Sequence, residues 1–370
     1  MRSTIAACVV LLMAASWSAA QPQNPTVADF TGWEVLDPGG RLMPYLGRPS
    51  LFLDRGIALM PGAPFADGTI EFDVAIHGQF GFAGVIFRGA SPEDYELIYL
   101  RAHRSRQWDA LQYTPMHAGQ ESWQLYAGAG YNAAAELPAN RWVRVRIVID
   151  GYAAEVFVDG ESKPHLVVTD LKRDWRAGRV GLWGRSGAAH FSNVRVTPRV
   201  RPEPQRRSTT PAAGMITRWS ISQSFAAPAL DLSRVPDAAA FDPITSEPSG
   251  IVNIAQYRSP ARVRPNNDDG RNTVFAKAVL RAPRALRLRL AFGYSDDVTV
   301  FLDGRPIFAG RSGYLVRDGS DLGTLSVGSE TLFLELAAGR HELTFGITEA
   351  FGGWGVAARI EGAPEITIEQ

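Results

Sequence analysis

Apolar residues in this chain recur at every second position. Ile70, Phe72, Val74 and Ile76 alternate with Glu71, Asp73 and Ala75, and Val143, Val145, Ile147 and Ile149 alternate through RWVRVRIVID. Successive side chains of an extended strand point to opposite faces, so both runs predict strands with one buried face. Similar runs follow at GFAGVIFRG, YELIYLRA, AEVFVDG, RVGLWG and AHFSNVRV, separated by Gly, Pro, Asp and Asn. The pattern returns later with Leu286, Leu288, Leu290 and Phe292, with Val298, Val300 and Leu302, and with Leu343, Phe345 and Ile347. No segment past the amino-terminal apolar stretch holds a helical period. Asp159-Gly160 and Asp303-Gly304 each suit a tight hairpin, which needs two positive φ values. The fold class expected is all-β, with two antiparallel β-sandwich (jelly-roll) domains.

Between the two groups of strands, residues 198–214 read PRVRPEPQRRSTTPAAG, with four prolines and almost no large apolar side chain. That composition buries no core. It predicts a solvated Pro/Arg-rich linker, with little packing across it, between a first unit at 26–197 and a second at 215–370. At the amino terminus, Arg2, the apolar run 5–15 and the small residues Ser18, Ala19 and Ala20 have the layout of a secretory signal over residues 1–20. Cleavage after Ala20 and a secreted or periplasmic address are expected. The apolar run is shorter than the roughly 20 residues of a spanning helix, so no membrane insertion is expected. Cys8, the only cysteine, falls inside this segment, which predicts a mature chain without thiols. Lys plus Arg and Asp plus Glu each total 38, and a formal charge of zero argues against a nucleic-acid partner.

In the first unit, GTIEFDVAI, GVIFRG, RWVRVRIVIDGYAAEVFVDGES and GRVGLWGRSGAAHFSNVRV occur in that order. This order resembles the concanavalin A-like jelly roll, as found in laminin G-like domains and in the 3-keto-disaccharide hydrolase family of secreted bacterial proteins. The resemblance implies two curved antiparallel sheets with a sugar site on the concave one. In the second unit, FGYSDDVTVFLDGRPIFAG resembles the galactose-binding-like β-sandwich that accompanies many glycoside hydrolases.

The candidate chemistry is that of sugar recognition. Residues 95–126 mix aromatic rings with Arg, Gln and His, which suits saccharides, whose apolar faces stack on rings while their hydroxyls take directed hydrogen bonds. The candidate carbohydrate-binding residues are Arg88, Tyr99, Arg101, Trp108, Gln112, Tyr113 and Trp123. Glu71 and Asp73 share one strand face, as do the carboxylates of the family 16 glucanases. The second catalytic glutamate of that pattern is replaced here by Ala75 or Ile76, so no catalytic residue is assigned. His103 and His117 are spaced to converge or to stay as separate loop residues, and none of the six histidines forms a zinc pattern. No cofactor is expected, except that the loop NNDDGRN at Asn266 and the acidic turn SDD at Ser295 leave a structural calcium ion open. Trp354, between glycines, reads as a core residue or a presented ring. These features point to non-catalytic binding of a polysaccharide or oligosaccharide. The alternatives are a glycoside hydrolase of the 3-keto-disaccharide type and a structural or protein-binding module of a cell-surface assembly.

Overall fold

The computed structural model describes residues 26–27, 30–78, 80–186, 189–227, 231–237, 239–260 and 271–369. The signal segment with Cys8, and residues 266–270 of the NNDDGRN loop, lie outside the described residues.

Among the described residues every strand pair is antiparallel, and the strands form four sheets. In the first unit an eight-stranded sheet centres on Val143–Asp150, Gly68–Ile76 and Ala189–Pro198. A seven-stranded sheet faces it, with Leu111–Met116, Asp94–Arg101, Phe82–Ser91 and Arg179–Arg185 side by side. Val143, Val145, Ile147 and Ile149 are buried between the sheets while Arg144 and Asp150 face outwards, as a period of two requires. The second unit pairs an eight-stranded sheet, built on Asn272–Ala282, Gly339–Glu349 and Asp297–Leu302, with a four-stranded sheet built on Gly355–Glu361 and Leu286–Ser295. Phe292, Phe345 and Trp354 fill its core, and the Trp354 indole donates to the Ile347 carbonyl at 3.0 Å, so this ring is tucked in and not presented. Asp303 and Gly304 both take positive φ in a two-residue hairpin pairing Leu302 with Arg305. Asp159 and Gly160 also have positive φ but open a longer loop, whose strands pair only from Val156 and Leu166.

The expectation of little packing between the units is corrected by the structure. Gln124 of the first unit exchanges backbone bonds with Gly352 (3.0 Å) and Leu325 (2.8 Å) of the second, and its side chain donates to Leu322 O at 2.9 Å. Asn253 donates to Ser122 Oγ at 3.0 Å. Glu247 accepts from Tyr126 Oη and, at 2.7 Å, from Lys172 Nζ, an ammonium only 4% exposed that also reaches Asp170. Arg206 of the connecting segment pairs with Asp170 and covers Tyr152, so that segment lies along the first unit. Composition showed that the segment has no core of its own, but not that its arginines have acidic partners alongside. Trypsin is expected to cut within 199–212 and leave two fragments that still co-elute in gel filtration. Glu247→Ala removes the second-unit acceptor shared by Lys172 and Tyr126, leaving Lys172 with Asp170 alone, and should weaken that association. Wild-type fragments that separate at once would contradict the docked arrangement.

Three buried titratable groups contribute to the acid behaviour of the fold. His190 stacks on Tyr45 at 3.9 Å, and burial with His77 nearby pulls it down to about 4. Burial and the adjacent Arg173 do the same to His117. Burial pushes Asp296 the other way, up to about 6 from 3.8. Between pH 6.5 and about 4 the unfolded chain binds more protons at both histidines, so their contribution to stability is lost on acidification. Asp296 opposes this between about 6 and 3.8, because the folded state holds its proton more tightly. Burial likewise lowers His103 and raises Glu96, so His117 and His190 contribute a fall in melting temperature across this window without alone fixing its net size. His190→Asn should make the fall shallower, and an unchanged slope in that variant would count against the assignment.

Candidate functional site between the two units

Asp94–Arg101 is the strand that builds the site. Glu96, Ile98 and Leu100 enter the core between the sheets, while Tyr95, Leu97, Tyr99 and Arg101 project from the outer face of the seven-stranded sheet. That outer face is itself apolar. Ile57, Leu59, Ile86, Met116 and Trp183 join the three outward residues from Tyr95 to Tyr99 in a second cluster, separate from the core. Opposite Tyr99 the adjacent strand carries Gly84, which also pairs with Trp183. A Cβ at Gly84 would meet the Tyr99 Cβ at 2.7 Å, so glycine there lets the Tyr99 and Trp183 rings approach to 5.4 Å.

Loops from both units complete the walls. Trp123, on the segment after Leu111–Met116, is only 6% exposed and meets Tyr314 and Phe351 of the second unit edge-on, at 6.0 and 5.9 Å. Asp296 anchors both of those second-unit loops. Its carboxylate accepts from the backbone N–H of Ala350 and Phe351, each at 2.6 Å, and its carbonyl accepts from Ser312 N. The acidic turn singled out for calcium is thus engaged otherwise, since Asp297 pairs with Arg271 and Arg311. Among the described residues, no group of three or more His, Cys, Asp or Glu side chains is placed to hold a metal ion.

These elements enclose a cavity of about 350 Å³, within the usual range of small-molecule sites. Its polar groups are ordered. Arg101 donates to Asp109 at 2.9 Å, to Tyr99 Oη at 2.9 Å and to Gln112 Oε1 at 3.1 Å, and its guanidinium lies 5.3 Å from both the Tyr99 and Trp123 rings. Arg104 Nε takes the other oxygen of Asp109 at 2.8 Å, and Arg185 pairs with Glu121. Burial raises the Tyr99 phenol, which stays protonated at neutral pH. Burial, then Arg101 and Arg104, hold His103 below its ordinary value, and its ring stacks on Phe80 at 4.6 Å.

Of the candidates read from the sequence, Tyr99, Arg101 and Trp123 line this cavity, and Gln112 stands behind Arg101 as its acceptor. Three lie elsewhere. Tyr113 points into the core and donates to the buried Glu96 at 2.6 Å, because it neighbours Gln112 on a strand and so faces the opposite way. Arg88 is 3% exposed and ties Asp67, Ala66 O and Gly151 O together inside the fold. Trp108 is 48% exposed and outside the cavity. His103 and His117 do not converge: His117 bonds Arg173 at 3.0 Å in a different pocket. Glu71 and Asp73 lie on the other sheet, paired with Arg144 and Arg48. Trp183 was within reach of the sequence, as an aromatic one position from the core residue Leu182 in RVGLWG. Tyr314, Leu322 and Phe351 come from loops that carry no local signal.

The comparison with known families bears on the first unit. Residues 28–197 match the 3-keto-alpha-glucoside-1,2-lyase-like domain. The family model thus agrees with the likeness drawn from the four ordered motifs, over the first unit. Among solved structures, the carbohydrate-binding module CBM66 from Bacillus subtilis is 18% identical at a TM-score of 0.36, covering 45% of this chain and 95% of its own. A Bacillus subtilis protein of unknown function with a galectin-like fold is 16% identical at a TM-score of 0.34, covering 46% and 91%. Crh5 transglycosylase in complex with NAG is 13% identical at 0.35, covering 48% and 85%. No curated protein matches the chain.

Proposed function

We propose that this chain is an exported protein that binds a saccharide, without cleaving it, in the cavity between its two sandwiches. One observation carries the reading: Tyr99, Trp123, Trp183 and Phe351 bring their rings to a single cavity that also holds the Arg101, Arg104 and Arg185 guanidiniums. Rings cover the C–H faces of a sugar, and guanidinium edges bond its oxygens. The galactose-binding-like second unit acts here as a wall of the site, not as an independent binder. Cleavage of a glycoside calls for an acid and a second carboxylate flanking the bond. The two carboxylates of this cavity, Asp109 and Glu121, are both engaged by arginines.

The match to a lyase-like domain favours a second reading, turnover of an oxidised glycoside, with His103 as the uncharged base at the cavity wall. The two are separated by screening the mature chain on a glycan array and then incubating it with 3-keto-α-glucosides, followed by NMR. Bound sugar recovered unchanged supports recognition. Catalytic loss of the keto-glucoside that disappears in His103→Ala would establish the enzyme instead.

A further inference from the structure

We infer that the saccharide held in this cavity is an acidic one, a uronate whose carboxylate is taken by the Arg101–Arg104 side of the site. The inference rests on the saccharide-binding reading and adds the class of sugar. It starts from a charge imbalance: three guanidiniums, Arg101, Arg104 and Arg185, line the cavity against two carboxylates, Asp109 and Glu121. His103, held below its ordinary value by burial and by Arg101 and Arg104, adds no charge of its own at neutral pH. One positive charge is therefore left over within an aromatic enclosure, where water screens it less than on an open surface.

Arg101 and Arg104, joined through Asp109, both carry donors without protein acceptors; the Arg101 donor is buried, and those of Arg104 are the accessible ones. Arg101, whose side chain is 8% exposed, spends both terminal nitrogens on Asp109, Tyr99 and Gln112, while its Nε has no partner. Arg104 bonds Asp109 through Nε alone, and its two terminal nitrogens have no partner among the described residues. Its side chain is 34% exposed, so those nitrogens are within reach of a ligand. A neutral sugar offers such a site only hydroxyls. A carboxylate offers two coplanar acceptors that match a guanidinium fork and cancel the surplus charge.

Calorimetry of the full chain with methyl glucuronide against methyl glucoside, and methyl galacturonide against methyl galactoside, tests this. At low salt at least one uronate should bind about tenfold more tightly than its neutral partner, with the gap shrinking as salt is added. Arg104→Gln removes the surplus charge while keeping the Arg101–Asp109 pair, and should bring the two affinities within about threefold of each other. The melting temperature and near-ultraviolet dichroism report whether that variant is folded, and Arg104→Met, which removes the same guanidinium, serves if it is not. Equal or tighter binding of the neutral sugars overturns the inference. So does the absence of binding by all four sugars; neutral glycans captured on the array would then leave the saccharide-binding reading standing, and an empty array would remove both.

Discussion

Trp123→Ala is expected to lower saccharide affinity by a factor of ten or more, with a smaller loss in Trp123→Phe. Trp123 joins the two walls of the site: the Arg101 guanidinium lies 5.3 Å from its ring, and Tyr314 and Phe351 meet its edges. Truncating it removes a stacking platform and loosens the contact that holds the second-unit wall. Losses of about 2 kcal/mol or more are typical of aromatic anchors at such positions. The ring is buried, so alanine also costs stability, about 3–5 kcal/mol for a buried tryptophan. Calorimetry must therefore be read well below the melting temperature, and phenylalanine, which keeps a ring against both loops, separates affinity from folding. Affinity unchanged in both variants would place the ligand elsewhere.

Arg88→Met should destabilise the fold by about 3–5 kcal/mol while leaving the saccharide affinity of the folded fraction unchanged. The side chains of Arg88 and Asp67 are 1% and 0% exposed, and removing the guanidinium leaves the carboxylate buried with only the Gly151 N–H and the Trp175 indole as donors. Urea denaturation measures the first part and calorimetry the second. A normally stable variant with weakened affinity would return Arg88 to the binding surface where the sequence had placed it.

The fate of Arg88 shows where reading the chain succeeds and where it stops. Alternation in 143–150 translates directly into one buried and one exposed face, because only the inner face has anything to pack against. Asp94–Arg101 gives no such contrast, since a core covers one side and the cavity walls the other, and both sets of side chains are buried. Tyr99 and Arg101 were recognisable by chemistry, but the separation of Gln112 from Tyr113 depends on the pairing of Gln112 with Tyr99, which is a matter of register. Arg88 has the same parity as Phe82 and Ile86 and by alternation belongs on the cavity face. Its φ of 52° and the register shift between Phe87 and Ser91 turn it inward. The second-unit wall was beyond reach for another reason: nothing in the sequence around Phe351 shows that Asp296 holds its loop against Trp123.

A crystal structure of the intact chain with the tightest-binding glycan from the array bears most directly on the shared cavity. The account predicts a sugar ring among Tyr99, Trp123, Trp183 and Phe351, in contact with residues of both units. A glycan bound on the outer face of the eight-stranded sheet that carries Glu71 and Asp73, or held by the second unit alone, would contradict it.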